Sequence, residues 1–477
     1  MSATDATITE TPHLVRALGQ WDLVLLFVVA VANLNIVPVV AAGGAVTIWL
    51  WLLALLLFFW PQGIAVIELS NRYPNEGGVY LWTKEIFGNF HGFLSGWCYW
   101  TNNVFYIPTL LLYMVGISVY VGGAQARGLG NSKIYVFVMA LALLWVLVWL
   151  NIRGLGVGKW INNLGGVGTF ITAAALIGLA AAILSKHGSS IHPSDFRVTS
   201  ADWHLVNLFG IICFGLVGLE LASVMGDEIR DPKRTLPRAV FWGGVISGLL
   251  FVGTTLAVLL ALPQEAIGAV QGLLQAVTRM ADDVGIAWIG PGVALVLTLA
   301  IAGTASAWFS GSARIPFVAG LDHYLPSGLG RVHPRYSTPY VALIVHAVLS
   351  SAFIAMSFVG ASVEEAYKIM LLLATVLQLV PFLYMFAALI RLANASDFQK
   401  AVYSRGTILA GGISGIVATA VGMIVAFWPQ TSGQAVWLFE LKMGVGCAFF
   451  ILLAVFFFFI YSRRTPAGAA VPKRVQP

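Results

Sequence analysis

Charged residues are scarce in this sequence. Asp, Glu, Lys and Arg make up 10% of the 477 residues, while hydrophobic types make up 59%, and the mean hydropathy is +0.88. A soluble domain carries about 25% charged residues. The composition therefore excludes an ordinary soluble protein and predicts a polytopic membrane protein.

Cysteine and nucleotide-binding motifs are also lacking. The three cysteines, Cys98, Cys213 and Cys447, lie far apart in apolar runs, so the sequence has neither a disulfide framework nor metal-ligand spacing. No GxxxxGK[ST] motif is present to cradle phosphates, and the eight histidines are scattered. We therefore predict no enzymatic activity, no cofactor and no resident metal. Since the basic residues lie in loops rather than on one face, we also predict no nucleic-acid partner.

Apolar runs long enough to cross about 30 Å of hydrocarbon recur along the chain. They predict an all-α protein with twelve transmembrane helices, at about 22–43, 47–70, 92–122, 133–151, 161–185, 204–225, 239–262, 289–312, 338–358, 364–391, 407–428 and 436–461. Most of the 26 Lys and Arg residues fall in loops on the side of the N-terminus, and such residues accumulate in the cytoplasm. We therefore predict a multi-pass protein of the plasma (inner) membrane with both termini cytoplasmic, including an N-terminal segment (1–20) and a basic tail (462–477).

Two of the spans contain helix-breaking residues. The first carries Asn33, Asn35 and Pro38, and the sixth carries FGLVGLE (214–220). Glycine is frequent at packed helix contacts in membranes, but paired interruptions in corresponding spans are typical of transporter binding sites. We therefore predict a 5+5 inverted repeat, with spans one to five in 21–185, spans six to ten in 204–391 and two extra helices in 406–461. Glu220, an ionisable group at membrane depth, is a candidate for gating or coupling.

Three stretches then resemble one family. They are IELSNRYPNEGGVYLWTKEIFG (67–88), GDEIRDPKRTLPRAV (226–240) and ASAWFSGSARIPFVAGLDHYLPSGLGRVHPRYSTPYVAL (305–343). Their order and spacing are similar to those of the amino acid–polyamine–organocation (APC) superfamily, in particular its bacterial amino acid permeases. The resemblance covers most of the chain and implies the APC transporter fold.

The resemblance also implies a substrate site. Asn33-Leu34-Asn35 matches the family's unwound Gly-x-Gly, whose N–H groups hold the substrate carboxylate, and this chain replaces both glycines with asparagine. Phe214 matches an aromatic gate, and Trp308 matches a pocket tryptophan. The resemblance also implies that Gly215 and Gly218 supply the second break. On helix three, Trp97, Trp100 and Tyr106 are candidates for the opposite wall, and Asn102 and Asn103 could either hydrogen-bond the substrate or pack between helices.

The coupling ion stays open at this point. Several relatives carry a lysine on helix five where this chain has Thr169. Na⁺ held near Thr169, Thr304 and Ser306, H⁺ coupling through Glu220, and uncoupled exchange are all compatible with the resemblance.

The expected function is secondary active transport or exchange of amino acids, as an antiporter or symporter, by alternating access. A neutral, apolar amino acid is favoured because Glu220 is the one acid expected in the pocket and no basic residue lies at membrane depth. The alternatives are a polyamine or organic-cation permease and, in another class, a non-transporting membrane sensor. The expected partners are the small-molecule substrate and the lipid bilayer, and the oligomeric state is left open.

Overall fold

The computed structural model describes residues 20–73, 77–189, 191–197, 203–224, 232–357, 363–394, 401–427 and 436–463. No strand occurs within these ranges. Nearly all of the predicted N-terminal segment and basic tail, and residues 225–231 of the second family stretch, lie outside them. The α-helices are α1 (Gln20–Val31), α2 (Val37–Ala41), α3 (Thr47–Ala54), α4 (Trp60–Arg72), α5 (Val79–Phe87), α6 (Asn89–Ser118), α7 (Lys133–Ile152), α8 (Leu155–His187), α9 (Trp203–Gly215), α10 (Leu221–Val224), α11 (Pro232–Ala261), α12 (Gly272–Val284), α13 (Ile289–Ser312), α14 (Arg314–Leu321), α15 (Tyr340–Ser357), α16 (Val363–Ala393), α17 (Arg405–Val425) and α18 (Val436–Ser462).

Within the described ranges, ten helical segments are long and apolar enough to cross a membrane. The predicted sixth and ninth spans correspond to shorter apolar helices, Leu205–Gly215 and Tyr340–Met356. The sixth is short because α9 ends at Gly215 and the chain resumes as a helix only at Leu221. The all-helical, multi-pass membrane architecture is thus confirmed, while the inverted repeat and the orientation of the termini stay predictions.

Besides α14, which extends the eighth span beyond its predicted end, two further helices were not expected from the sequence. The first, α5, follows the second span, where Tyr80 Oη and Lys84 Nζ each donate to Asp322 Oδ2 at 2.6 Å. The second, α12, buries Leu273, Leu274, Val277 and Met280 on one face. Both are too short to span a bilayer, so a search for apolar runs of about 20 residues misses them.

The second span contains an irregular turn. Between α3 and α4, residues Leu55–Phe59 form a π-helical turn. After this turn Gln62 and Glu68 are buried, and Glu68 Oε1 accepts the N–H groups of Val402 and Tyr403 at 2.8 and 2.7 Å. Glu68 therefore fixes the loop that precedes α17.

The first span lies at the centre of the helical bundle. Its α1 packs against α8, α11 and α13, and α8 and α13 touch each other at a pair of glycines. A Cβ on Gly303 would lie 2.6 Å from Cα of Gly165. Small residues permit this close approach of backbones, which places α13 directly against the middle of the first span.

Candidate functional site

The first span is interrupted where the sequence predicts. Helix α1 ends at Val31, a 3-10 turn covers Leu34–Ile36, and α2 restarts with Pro38 in its first turn. The N–H of Asn33 donates to Val31 O at 2.7 Å instead of to the carbonyl four residues back. Proline has no N–H with which to continue the preceding ladder, so the break is built into the local sequence.

The sixth span is interrupted at its glycines. Between α9 and α10 lies Gly218, whose φ of +142° is readily adopted only by glycine. A Cβ there would lie 2.8 Å from the carbonyl carbon of Ala30, and one on Gly215 would lie 1.8 Å from Cδ1 of Ile36. The missing side chains allow the two breaks to touch each other.

Side chains of α13 donate hydrogen bonds to carbonyl groups that have lost their helical partners at the first break. A helix end leaves its last carbonyls without partners in the helix. Thr304 Oγ1 donates to Val29 O at 3.1 Å, and Trp308 Nε1 donates to Ala30 O at 3.1 Å. Ala30 O also accepts the side-chain amide of Asn33 at 2.9 Å. Thr304 and Trp308 therefore hold the end of α1 in place.

Replacing Trp308 with phenylalanine tests this support. The variant keeps an aromatic ring but loses the indole N–H to Ala30 O, and a typical hydrogen bond contributes about 1 kcal/mol net. We expect a lower melting temperature and reduced uptake in reconstituted vesicles, whereas Trp288→Phe, at a residue that is 80% exposed, should change neither. An unchanged melting temperature and rate for Trp308→Phe would contradict the proposed support of α1.

Aromatic side chains from three spans meet beside the two breaks. The Tyr106 ring contacts Phe214 edge-on at a centroid distance of 5.0 Å and Trp308 at 5.9 Å, and Tyr99 lies 6.3 Å from Trp308. All four side chains are buried. The structure thus brings together Phe214, Trp308 and Tyr106 as the resemblance implies, and adds Tyr99.

The two tryptophans of the expected wall contact other helices. Trp97 Nε1 donates to Phe450 O of α18 at 3.0 Å. Trp100 lies edge-on to His346 of α15, with ring centroids 6.3 Å apart. Neither tryptophan has a ring contact with Phe214 or Trp308 among the described residues.

Unpaired polar atoms lie along the first break. Asn35 Nδ2 donates to Tyr367 Oη at 3.3 Å, and that hydroxyl donates to Asn35 O at 3.0 Å. The buried atoms Asn33 Oδ1, Asn35 Oδ1 and Tyr113 Oη have no hydrogen-bond partner in the part of the chain that the structure covers. Buried polar atoms are nearly always paired, so these atoms are available to a ligand.

Four neutral donors surround the Glu220 carboxylate. Oε2 accepts from Gly218 N at 3.0 Å and from Gln62 Nε2 at 2.8 Å. Oε1 accepts from Tyr99 Oη at 3.2 Å and from Gln378 Nε2 at 3.4 Å. An ionised carboxylate only accepts and has about four lone-pair positions, which these donors match. We call Glu220 with these four donors the Glu220 cage.

The cage joins four segments of the fold. Gln62 comes from α4, Tyr99 from α6, Gln378 from α16, and Glu220 with Gly218 from the second break. On α6, Asn102 donates to the side-chain oxygen of Gln378 and Asn103 to Tyr99 O at 2.9 Å, so both asparagines support the cage. Gln62, Tyr99 and Gln378 were not predicted as site residues, although a glutamine within an apolar span is a visible signal.

The hydroxyl groups expected near a sodium ion have separate partners. Thr169 Oγ1 donates to Gly165 O at 3.0 Å in its own helix. Ser306 exchanges hydrogen bonds with the Asn151 side chain at 3.2 and 3.4 Å, and Thr304 binds Val29 O. No hydrogen bond joins the three to one another in the described ranges, and a sodium site there stays a prediction.

Comparison with known proteins agrees with this architecture. Residues 18–471 match the model of the amino acid permease family. An uncharacterised transporter of Legionella pneumophila is 30% identical over 458 residues, which cover 92% of this chain and 96% of the relative. An uncharacterised transporter of Mycobacterium tuberculosis is 27% identical over 350 residues, covering 70% of this chain and 73% of the relative. A probable agmatine/putrescine antiporter of Lactococcus lactis is 23% identical over 321 residues, or 67% of each chain. The chain therefore belongs to the amino acid permease family and is a multi-pass membrane transporter.

Proposed function

We propose that this transporter carries amino acids with neutral, apolar side chains by alternating access around its two broken spans. The observation that carries the proposal is the contact between the breaks, at which unpaired polar atoms lie beside a buried aromatic cluster. An amino acid needs both features, because its backbone is polar and charged while its side chain is apolar.

Each part of such a substrate has a partner at the site. The main-chain hydrogen bonds around the first break include none from the N–H groups of Leu34 and Asn35, which can donate to the substrate carboxylate. Asn33 Oδ1 and Asn35 Oδ1 can accept from the substrate ammonium. The side chain would then pack against the cluster of Phe214, Tyr106 and Trp308.

The charges inside the protein favour a zwitterion. Among the described residues, the buried Asp, Glu, Lys and Arg side chains are Glu68, Glu220 and Arg314. Glu68 binds the loop before α17, and Arg314 donates to the main chain and hydroxyl of Ser310. No basic side chain from this set remains for an acidic substrate, and Glu220 already accepts from four donors.

A polyamine or another organic cation is the second candidate. Glu220 adjoins the second break, and a relative at 23% identity is named a probable agmatine/putrescine antiporter. A cationic substrate would have to replace donors of the Glu220 cage, such as Gln62 or Gln378, in order to reach the carboxylate.

Uptake into reconstituted liposomes distinguishes the candidates. Labelled leucine, phenylalanine and alanine would be offered with an Na⁺ gradient, with a pH gradient, or with unlabelled amino acid inside the vesicles. We expect saturable uptake that neutral amino acids inhibit and putrescine and agmatine do not, and the effective gradient identifies Na⁺, H⁺ or exchange as the driver. Uptake of putrescine with no uptake of any amino acid would overturn the proposal.

Phe214→Ala tests the aromatic cluster. The truncation removes the ring that packs on Tyr106, and a buried aromatic contributes about 1.5–3 kcal/mol, so we expect the KM for the transported amino acid to rise about tenfold or more. The matched control is Phe449→Ala, at a residue that is 57% exposed on α18. Equal KM values for the two variants in folded protein would argue against Phe214 as a substrate contact.

A further inference from the structure

A groove of about 620 Å³ lies between the second and seventh spans. One wall is formed by α3, the π-helical turn and α4, and the other by α11. The side chains of its lining are apolar except for the phenol of Tyr403 and the indole N–H of Trp60. Four of its residues, Leu52, Trp60, Phe241 and Leu249, are large and exposed. Since these helices cross the membrane, the exposed rim faces lipid.

The shape of the groove follows from glycine. Gly63, Gly244 and Gly248 line it and leave its walls without side chains at these positions. Along α11 the lining runs from Pro237 to Val252, which at 1.5 Å per residue is about 22 Å. This length exceeds the hydrocarbon depth of one leaflet, about 15 Å, so the groove is long enough for one acyl chain.

Two arginine side chains lie beyond one end of the groove. Arg234 and Arg238 are exposed and precede Phe241, Val245 and Leu249 at intervals of three or four residues, which places all five on one side of α11. Neither arginine has an ion pair in the described ranges. Burial, with a contribution from the Glu68 carboxylate, raises the pKa of the nearby Tyr403 phenol, which stays neutral and able to donate.

We propose that this groove binds an anionic phospholipid, with an acyl chain along α11 and the phosphate at Arg234 and Arg238. The groove also reaches Leu219, which lies between Gly218 and Glu220 in the second break. A bound acyl chain therefore contacts the segment that must move during alternating access, and its presence changes the rate of transport.

Photocrosslinking on the complete wild-type protein locates the lipid. The protein would be placed in nanodiscs of phosphatidylcholine with a small fraction of phosphatidylglycerol that carries a diazirine midway along one acyl chain. We expect labelled peptides from α3, α4 and α11, and much weaker labelling by the phosphatidylcholine analogue. Equal labelling of α17 and α18, or equal labelling by both headgroups, would overturn the proposal.

Matched variants test the two halves of the site by native mass spectrometry. Arg234→Gln with Arg238→Gln should weaken phosphatidylglycerol binding by about fivefold for each arginine, whereas Arg331→Gln with Arg335→Gln, both exposed, should not.

Val245→Trp should fill the groove and displace the lipid, whereas Val421→Trp on the exposed face of α17 should not. Melting temperatures show whether each variant is folded. If a variant misfolds, the crosslinking map of the wild-type protein still tests whether the lipid lies in the groove. Unchanged lipid binding in the folded arginine variant would refute the headgroup assignment.

Discussion

Glu220→Gln is expected to abolish measurable uptake and to lower the melting temperature. The carboxamide offers one acceptor oxygen and an NH₂ group where the carboxylate offers two acceptor oxygens. Two of the four donors in the Glu220 cage then point at this NH₂ group, which is itself a donor and cannot accept. A buried donor without an acceptor costs about 1–3 kcal/mol, so the combined cost is about 2–6 kcal/mol.

The effects of Glu220→Gln on stability and on transport must be measured separately. Uptake would be measured well below the melting temperature and expressed per folded protein, with Glu265→Gln, at an exposed loop residue, as the control. If Glu220→Gln keeps wild-type stability and uptake, the glutamate is a neutral acid in this conformation and the four-donor description is wrong. Loss of uptake at normal stability would instead place the carboxylate in the transport cycle itself.

Gly218→Ala is expected to have an effect of similar size for a different reason. An alanine with φ near +142° is strained, at a cost of about 1–3 kcal/mol. Its Cβ would also lie 2.8 Å from the Ala30 carbonyl carbon, and main-chain atoms cannot rotate away as a flexible side chain can. The two breaks must therefore separate, and we expect uptake to fall at least tenfold and the melting temperature to drop.

A second glycine with positive φ separates the effect of backbone strain from that of the steric clash between the two breaks. Gly285 follows α12 with φ +84°, and a Cβ there would meet nothing within 4 Å. Gly285→Ala should therefore show a modest loss of stability and normal uptake. Equal behaviour of the two variants would mean that contact between the breaks is not needed for transport.

The breaks could be predicted from the sequence because their causes are local. Asn33 lies within the first interruption and Pro38 directly after it, while Gly218 lies within the second interruption and Gly215 directly before it. The Glu220 cage could not be predicted, because Gln62 and Gln378 are each 158 residues from Glu220 in the chain, and Tyr99 is 121 residues away. Only the packing of four separate spans decides which polar groups meet there.

Helical geometry explains which rings of α6 contact Trp308, while the wall of the substrate pocket stays a prediction. Successive residues of an α-helix are about 100° apart. Tyr99 and Tyr106, seven positions apart, share a face, and both rings contact Trp308. Trp100 lies six positions from Tyr106, about 240° around the helix, and its ring contacts His346 instead.

The π-helical turn at Leu55–Phe59 sets the angular phase of the second span. A π turn adds one residue to the helix, so each later side chain is rotated by about 100° relative to an uninterrupted α-helix. With the added residue, Gln62 points to Glu220 and Glu68 to the loop before α17, while Trp60 faces lipid. Without it, these polar groups would turn towards neighbouring helices or hydrocarbon. The one inserted residue thus determines which side chains of this span make the inner hydrogen bonds and which line the lipid-facing groove.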